Sequence, residues 1–285
     1  MDPYDQSTRI LIRNTPDDDY SGLSPNQVHY LYYDTFDENS SLQFNTGIDD
    51  SVLDQIPFFR LTEALIHIIK REQRLKLTAT GALPRKVLEE LYSHKFIPEY
   101  YIDYFIEKGI FKQIREDKCI SLRCSSDVVQ NSGLVEKAAG KIFLTEKGIR
   151  LLEPNNRLEL FKCIFETFTQ NINWSENDRY SEDEVAQWGW AYSIYLLLKF
   201  GDQQRTIEFY AEKYLIAFPD FINSFPDTYH LTPKEMFLRC YGVRTLERFF
   251  EWFGFVNIKP RKKLLERHND TFTSSELLNK IFEFD

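Results

Sequence analysis

The sequence predicts a mainly α-helical protein with short β-hairpins, in which one or two winged-helix-like lobes are combined with a helical bundle. Three observations carry this expectation. Gly133–Leu152 reads as a strand, a Gly-containing turn, a second strand and a capped helix. Several other segments place apolar residues at helical spacing. A helix–turn–strand order then recurs late in the chain. A chain of 285 residues can bury a core of this size as two domains or as one body with two lobes.

Residues 1–20 are polar and include Asp17, Asp18 and Asp19 in succession, which predicts a flexible acidic lead-in. Ser24-Pro25-Asn26-Gln27 is a helix start: Ser24 and Gln27 can form a capping box, and Pro25 suits the first helical position. That helix should run to about Tyr33. Residues 34–57 show little periodicity. Leu61, Leu65, Ile68 and Ile69 then mark one face of a clear helix, with Arg60, Glu63, Lys70 and Arg71 left to water. In Leu75–Tyr92 the leading residues suggest a short strand, Gly81 a turn, and Pro84 the start of a helix burying Val87, Leu88 and Leu91. Residues 98–108 form another helix, with Tyr101, Ile102, Phe105 and Ile106 available for packing and Gly109 at its end. Cys119–Arg123 reads as extended, followed by a short helix around Ser126–Gln130.

The hairpin comes next. Leu134 and Val135 supply one strand, Lys137–Gly140 the turn, Ile142–Leu144 the return, and Thr145 caps the helix that follows. Pro154, Asn155 and Asn156 mark a boundary. The sequence thus predicts a flexible segment at 1–20, a winged-helix-like domain with a helical extension at 21–153, and an aromatic-rich helical domain at 157–285. Within the last, helices are expected at 158–168, 183–199 and 203–217, with Trp188 and Trp190 as core anchors. Thr232-Pro233 starts a further helix, Phe255–Ile258 reads as a strand, and Thr271–Thr273 precedes a final helix. EKGIFKQI at 107–114 resembles EWFGFVNI at 251–258, and FLTEKGIRLL at 143–152 resembles TFTSSELLNK at 271–280. A second winged-helix-like unit is therefore expected, with a local hairpin on an all-helical module as the alternative.

The segments SGLSPNQVHYLYYDTF at 21–36, IPFFRLTEALIHIIK at 56–70 and LKLTATGALPRKVLEELY at 75–92 resemble an uncharacterised family of bacterial proteins. Some members of that family carry this region beside plasmid-associated modules. The resemblance spans residues 21–152 and implies a bacterial origin and a winged-helix-like region. It brings no catalytic residue with it.

The formal charge of −9 is unevenly spread. Residues 1–59 carry 2 basic and 11 acidic side chains, residues 60–150 carry 17 and 12, and residues 151–285 carry 16 and 21. The middle stretch alone has the sign that phosphate contact requires. The candidate recognition helix expected around Ser126–Gln130 offers Ser126, Gln130 and, just beyond, Asn131 but no Arg or Lys, and Asp127 would repel phosphates. Lys137, Lys141, Lys147 and Arg150 make the hairpin region basic, and Arg261, Lys262 and Lys263 form a second cluster. These ten residues are the candidate nucleic-acid contacts.

Glycine-rich phosphate loops, HExxH and GxSxG are missing from the sequence. Cys119, Cys124, Cys163 and Cys240 lack the paired spacing of a zinc site. No signal-like segment and no apolar run of about 20 residues is present. The expectation is a cytoplasmic interaction or scaffolding protein, possessing no cofactor, metal or membrane span, whose partner is another protein. The alternative is a DNA-binding regulator that meets double-stranded DNA through its winged helix.

Overall fold

The computed structural model describes residues 11–178, 180, 182, 184–258 and 271–285. It is mainly helical with small antiparallel sheets. The first elements are α1 (Pro25–Tyr33), β1 (Leu42–Phe44), α2 (Asp50–Leu53), α3 (Pro57–Glu72), β2 (Leu75–Lys76), α4 (Arg85–Ser93) and α5 (Tyr100–Glu107). Then come α6 (Ile120–Asn131), β3 (Val135–Ala138), β4 (Lys141–Leu144), α7 (Glu146–Leu151) and α8 (Arg157–Glu166). The remainder comprises α9 (Trp190–Phe200), β5 (Arg205–Thr206), α10 (Ile207–Ala217), α11 (Pro233–Tyr241), β6 (Val256–Ile258), β7 (Thr271–Ser274), α12 (Glu276–Ile281) and β8 (Phe282–Phe284).

The chain divides into two compact units: a middle unit, Ile48–Arg179, and a terminal unit built from Met1–Gly47 and Tyr180–Asp285. This differs from the expected break at residues 154–156, for two physical reasons. Arg157 is locked into the middle unit, its Nε and Nη2 donating to both carboxylate oxygens of Glu63 at 2.7 and 2.9 Å, and Nη2 also reaching Asp54 at 2.7 Å. Leu160, Phe161, Ile164 and Phe165 of α8 are then buried with it, and Phe161 meets Phe59 edge to face at 5.6 Å. Conversely, β1 pairs antiparallel with β8 through Leu42–Phe284 and Phe44–Phe282, which returns the N-terminal segment to the end of the chain. The described part of the expected lead-in is also structured. Its Asp17 carbonyl accepts from Gly22 N at 2.8 Å, and the Ser21 carbonyl accepts from the Tyr195 hydroxyl at 2.7 Å.

In the middle unit α3 is the central helix, burying Phe58, Phe59, Leu61, Leu65, Ile66, Ile68 and Ile69. Its spacing of apolar residues wraps more than one face, so it is covered by α4, α6 and α8 rather than lying at the surface. Strands β2, β4 and β3 make a three-stranded sheet in that order, with Leu75 opposite Ile142 on the inner face. One expectation fails here. Cys119–Arg123 is not extended: Cys119 is the N-cap of α6, and the helix runs twelve residues to Asn131, so it contains Arg123.

The terminal unit repeats this order. A helix (α9), a short strand (β5), a helix (α10), a further helix (α11, continued to Phe250 by a π-helical stretch), and the β6–β7 pair lead into α12. The strand order β5-β7-β6 is that of β2-β4-β3. Matching details sit at the hairpin base. Gly133 and Gly254 both take φ near +70°, the left-handed conformation glycine accepts without strain. Thr145 donates its hydroxyl to the Gly133 carbonyl at 2.8 Å and its N–H to that of Leu134 at 3.0 Å. Ser275 does the same to Gly254 at 2.6 Å and Phe255 at 2.8 Å. The register therefore equates Gly133 with Gly254 and Thr145 with Ser275. It replaces the expected match of 107–114 with 251–258 and moves the other match by two residues.

Candidate interaction surface

The helix expected to face a DNA groove is largely buried. Ser121, Leu122, Cys124, Ser125, Ser126, Val128 and Val129 of α6 are all buried. Ser126 accepts from Gln130 Nε2 at 3.0 Å, while Asn131 donates to the Asp127 carbonyl one turn back at 2.8 Å. Arg123, on the less buried side, is held by Asn177 Oδ1 at 2.9 Å and the Glu176 carbonyl at 2.7 Å. Burial pushes the Asp127 carboxyl up to about 6, with Glu116 and Glu176 adding to the shift and Arg123 opposing it. Of the three expected groove-facing groups, Ser126 is buried and accepts from Gln130, Gln130 is half-buried, and Asn131 is exposed.

The basic residues of the hairpin part ways. Lys147 closes the hairpin base, its Nζ donating to the Ser132 carbonyl at 2.9 Å. Arg150 is exposed on α7. Lys137 and Lys141 are exposed on β3 and β4, and Lys137 lies against the Gly81 turn. Arg261, Lys262 and Lys263 fall outside the described residues. The middle unit as a whole carries 20 Lys and Arg against 20 Asp and Glu, so any attraction for a polyanion has to come from a local cluster and not from net charge.

An unexpected surface lies on α5. Of its eight residues only Ile102 is buried. Tyr100, Tyr101 and Tyr104 are 52%, 51% and 45% exposed, and Ile110 just beyond is 58% exposed. Tyr101 packs on Phe105 at 4.4 Å, and Phe105 stacks on Phe111 at 5.0 Å, so the tyrosines stand on an aromatic base. The helix is pinned instead through its polar side. Glu99 accepts from Ser121 N at 3.1 Å and from its hydroxyl at 2.5 Å, covering the start of α6. Asp103 accepts from Lys95 Nζ at 2.5 Å and from the Tyr92 hydroxyl. Burial raises the Asp103 carboxyl, but these two donors outweigh it and hold the group below its usual range. Burial and the neighbouring Asp103 raise Tyr92 correspondingly, keeping it a donor. The N-cap Glu99 and the partly buried Asp103 are thus held by protein donors, Ile102 is the buried apolar residue, and Tyr100, Tyr101 and Tyr104 face solvent.

No family model, no curated protein and no solved structure matches this chain. An open cleft of about 360 Å³ lies by Thr78, Arg85, Gln113, Arg115 and Glu116. Its charged groups are already engaged: Arg85 with Glu89 at 2.7 Å, Arg115 with Asp117 at 2.9 Å, and Glu116 with the Leu83 N–H at 2.8 Å. Among the described residues no cluster of His, Cys, Asp and Glu is placed to hold a metal ion, and no helix is long and apolar enough to cross a membrane. The signal for α5 was present in the sequence. Tyr100, Tyr101, Ile102, Tyr104, Phe105 and Ile106 surround the helix, more apolar surface than one packing face can take. Trp188, expected as a core anchor, is likewise 47% exposed, whereas Trp190 is buried.

Proposed function

We propose that this chain is an interaction module built on two winged-helix-like lobes, and that the outward tyrosines of α5 are where it receives another protein. The observation that carries this reading is the set of outward tyrosines on α5: Glu99 and Asp103 anchor the helix to its neighbours, while Tyr100, Tyr101 and Tyr104 stand in water. The shared strand order and the paired Gly133/Thr145 and Gly254/Ser275 geometry support the two-lobe reading. Tyrosine suits such a surface, since its ring adds contact area at low entropic cost and its hydroxyl tolerates solvent.

Half-exposed tyrosines offer on the order of 100 Å² each, so the patch amounts to roughly 400 Å² with Ile110. That is about half of what each partner buries in a stable complex, around 800 Å². The patch suits a short helix or extended segment of a partner, held transiently. Four free thiols, three of them buried, accord with a reducing compartment, and the cytoplasm of a bacterium is the setting proposed.

The test is purification of the full chain from its native host, beside Tyr100→Ser/Tyr101→Ser/Tyr104→Ser. The reading expects a stoichiometric protein companion that survives nuclease treatment with the parent chain and is lost with the variant. Equal recovery with both chains, at equal melting temperature, contradicts it. The burial of Ser126 and most of α6 gives the DNA-binding regulator less support as a reader of bases than as a protein that touches phosphates.

A further inference from the structure

The sheet of the middle unit has a solvent face on which, among the described residues, Arg74, Lys76 and Lys141 stand against one carboxylate, Glu136. Strand alternation puts Leu75 and Ile142, 6% and 1% exposed, toward the core. The opposite face carries Lys76 and Lys141, which stand directly opposite each other in the register, with Ala138 opposite Lys141 on the third strand. Phe143 shares this face, and the Arg74 guanidinium lies over its ring at 5.4 Å. Like charges directly opposed across an antiparallel pair destabilise it unless something compensates. Among the described residues, no carboxylate pairs with Arg74, Lys76 or Lys141; Glu136, opposite Phe143, is the acidic neighbour on this face. Beyond the lysines the hairpin tip is Ala138-Ala139-Gly140, exposed and without bulk, turning through positive φ at Ala139 (49°) and Gly140 (70°).

We propose that this face, carrying Arg74, Lys76 and Lys141, docks on the phosphate backbone of duplex DNA. It goes beyond the protein-interaction reading and uses none of the α5 residues. The form of the face selects the occupant. It is open, so a single phosphate would find no cage, whereas a repeating polyanion engages all three cations at once. The tip has no large apolar side chain to insert into a bilayer. Phe143 is half-buried under Arg74 rather than free to stack on an unpaired base, which disfavours single strands. Contact of this kind is independent of sequence and serves to position the protein on the duplex.

Three neutralised phosphates predict a slope of log K against log salt of about −2.7. The experiment is fluorescence anisotropy of a labelled 20-base-pair DNA duplex with the full chain, from 25 to 200 mM KCl. Parallel titrations use an RNA duplex of the same length and phosphatidylserine-containing vesicles. The slope should lie near −3. Arg74→Gln/Lys76→Gln/Lys141→Gln should weaken binding about tenfold or more at 50 mM salt and flatten the slope, while melting no lower than the parent because the opposed charges are gone. Lys70→Gln/Lys86→Gln/Lys112→Gln, an equal change of net charge elsewhere on the unit, should stay within about threefold of the parent. Equal losses in the two triple variants overturn the proposal, as does no DNA binding at 25 mM salt. Tighter binding to the RNA duplex or to the vesicles overturns it too. None of these outcomes bears on the α5 companion, which is scored separately after nuclease treatment.

Discussion

Arg157→Met should destabilise the middle unit by about 3 kcal/mol. The guanidinium makes a two-point contact with Glu63 and a third bond to Asp54, all at 2.7–2.9 Å, and it lies 5.4 Å from the Phe59 ring centre. The Arg157 and Glu63 side chains are only 19% and 16% exposed, so the pair is largely out of water, while Asp54 at 60% is not. Removing one member of a buried pair typically costs about 3–5 kcal/mol, mostly from the stranded charge, and partial exposure favours the low end. Glu63→Gln retains one acceptor and should cost about 1.5 kcal/mol. The double variant should cost about 2.5 rather than about 4.5 kcal/mol, a coupling of about 2. Urea unfolding read by hydrogen exchange of α3 and α8 amides isolates this unit. A loss below 1 kcal/mol for Arg157→Met, or additive single effects, would refute the argument that this residue ties α8 into the middle unit.

Two further outcomes follow from the same packing. A Cβ on Gly148 would stand 2.1 Å from the Leu134 carbonyl oxygen, so Gly148→Ala should destabilise the hairpin and α7 by about 1–3 kcal/mol, seen as a lower melting temperature; an unchanged melt refutes the contact. Asp127 is raised by burial from 3.8 to about 6, so the folded state holds its proton more tightly than the unfolded chain, and stability should fall as pH rises from about 4 to 6. Asp127→Asn removes that dependence. It should gain about 1 kcal/mol at pH 7.5, below the full linkage value of about 3 because the group is partly solvated, and converge with the parent below pH 4. Thermal melts across pH 4–8 check this, and a less stable Asn variant at pH 7.5 contradicts it.

Local signals in the sequence were read well where the chemistry is local. The Ser24/Gln27 and Thr232 starts, the Thr145 cap and the Gly81 turn each depend on residues a few positions apart and form where the residues place them. The β3–β4 hairpin forms too, with its turn narrowed from the expected Lys137–Gly140 to Ala139-Gly140 because Lys137 and Ala138 pair in β3. Pairings over long separations were not legible. Nothing in LQF at 42–44 announces that it will pair with FEF at 282–284, and Pro154-Asn155-Asn156 looks like a boundary until Arg157 meets Glu63. The α6 error has the same origin. Its serines look polar in the sequence, but Ser125 reaches Thr62 at 3.3 Å and Ser126 serves Gln130, so short hydroxyl side chains are buried as helix-packing residues. For the candidate surface, the apolar excess of residues 100–106 was visible, but which side would face inward depended on Tyr92, Lys95 and Ser121 supplying donors to Asp103 and Glu99.

The outward face of α5 is tested most directly by site-specific photocrosslinking in the native host. A benzophenone amino acid replaces Tyr101 or Tyr104 in the full chain, with Ile216, an equally exposed apolar residue of the terminal unit at 55%, as the comparison position. The account predicts one discrete adduct with another protein from positions 101 and 104 and none from 216. No adduct from 101 and 104, or the same adduct from 216, would contradict it.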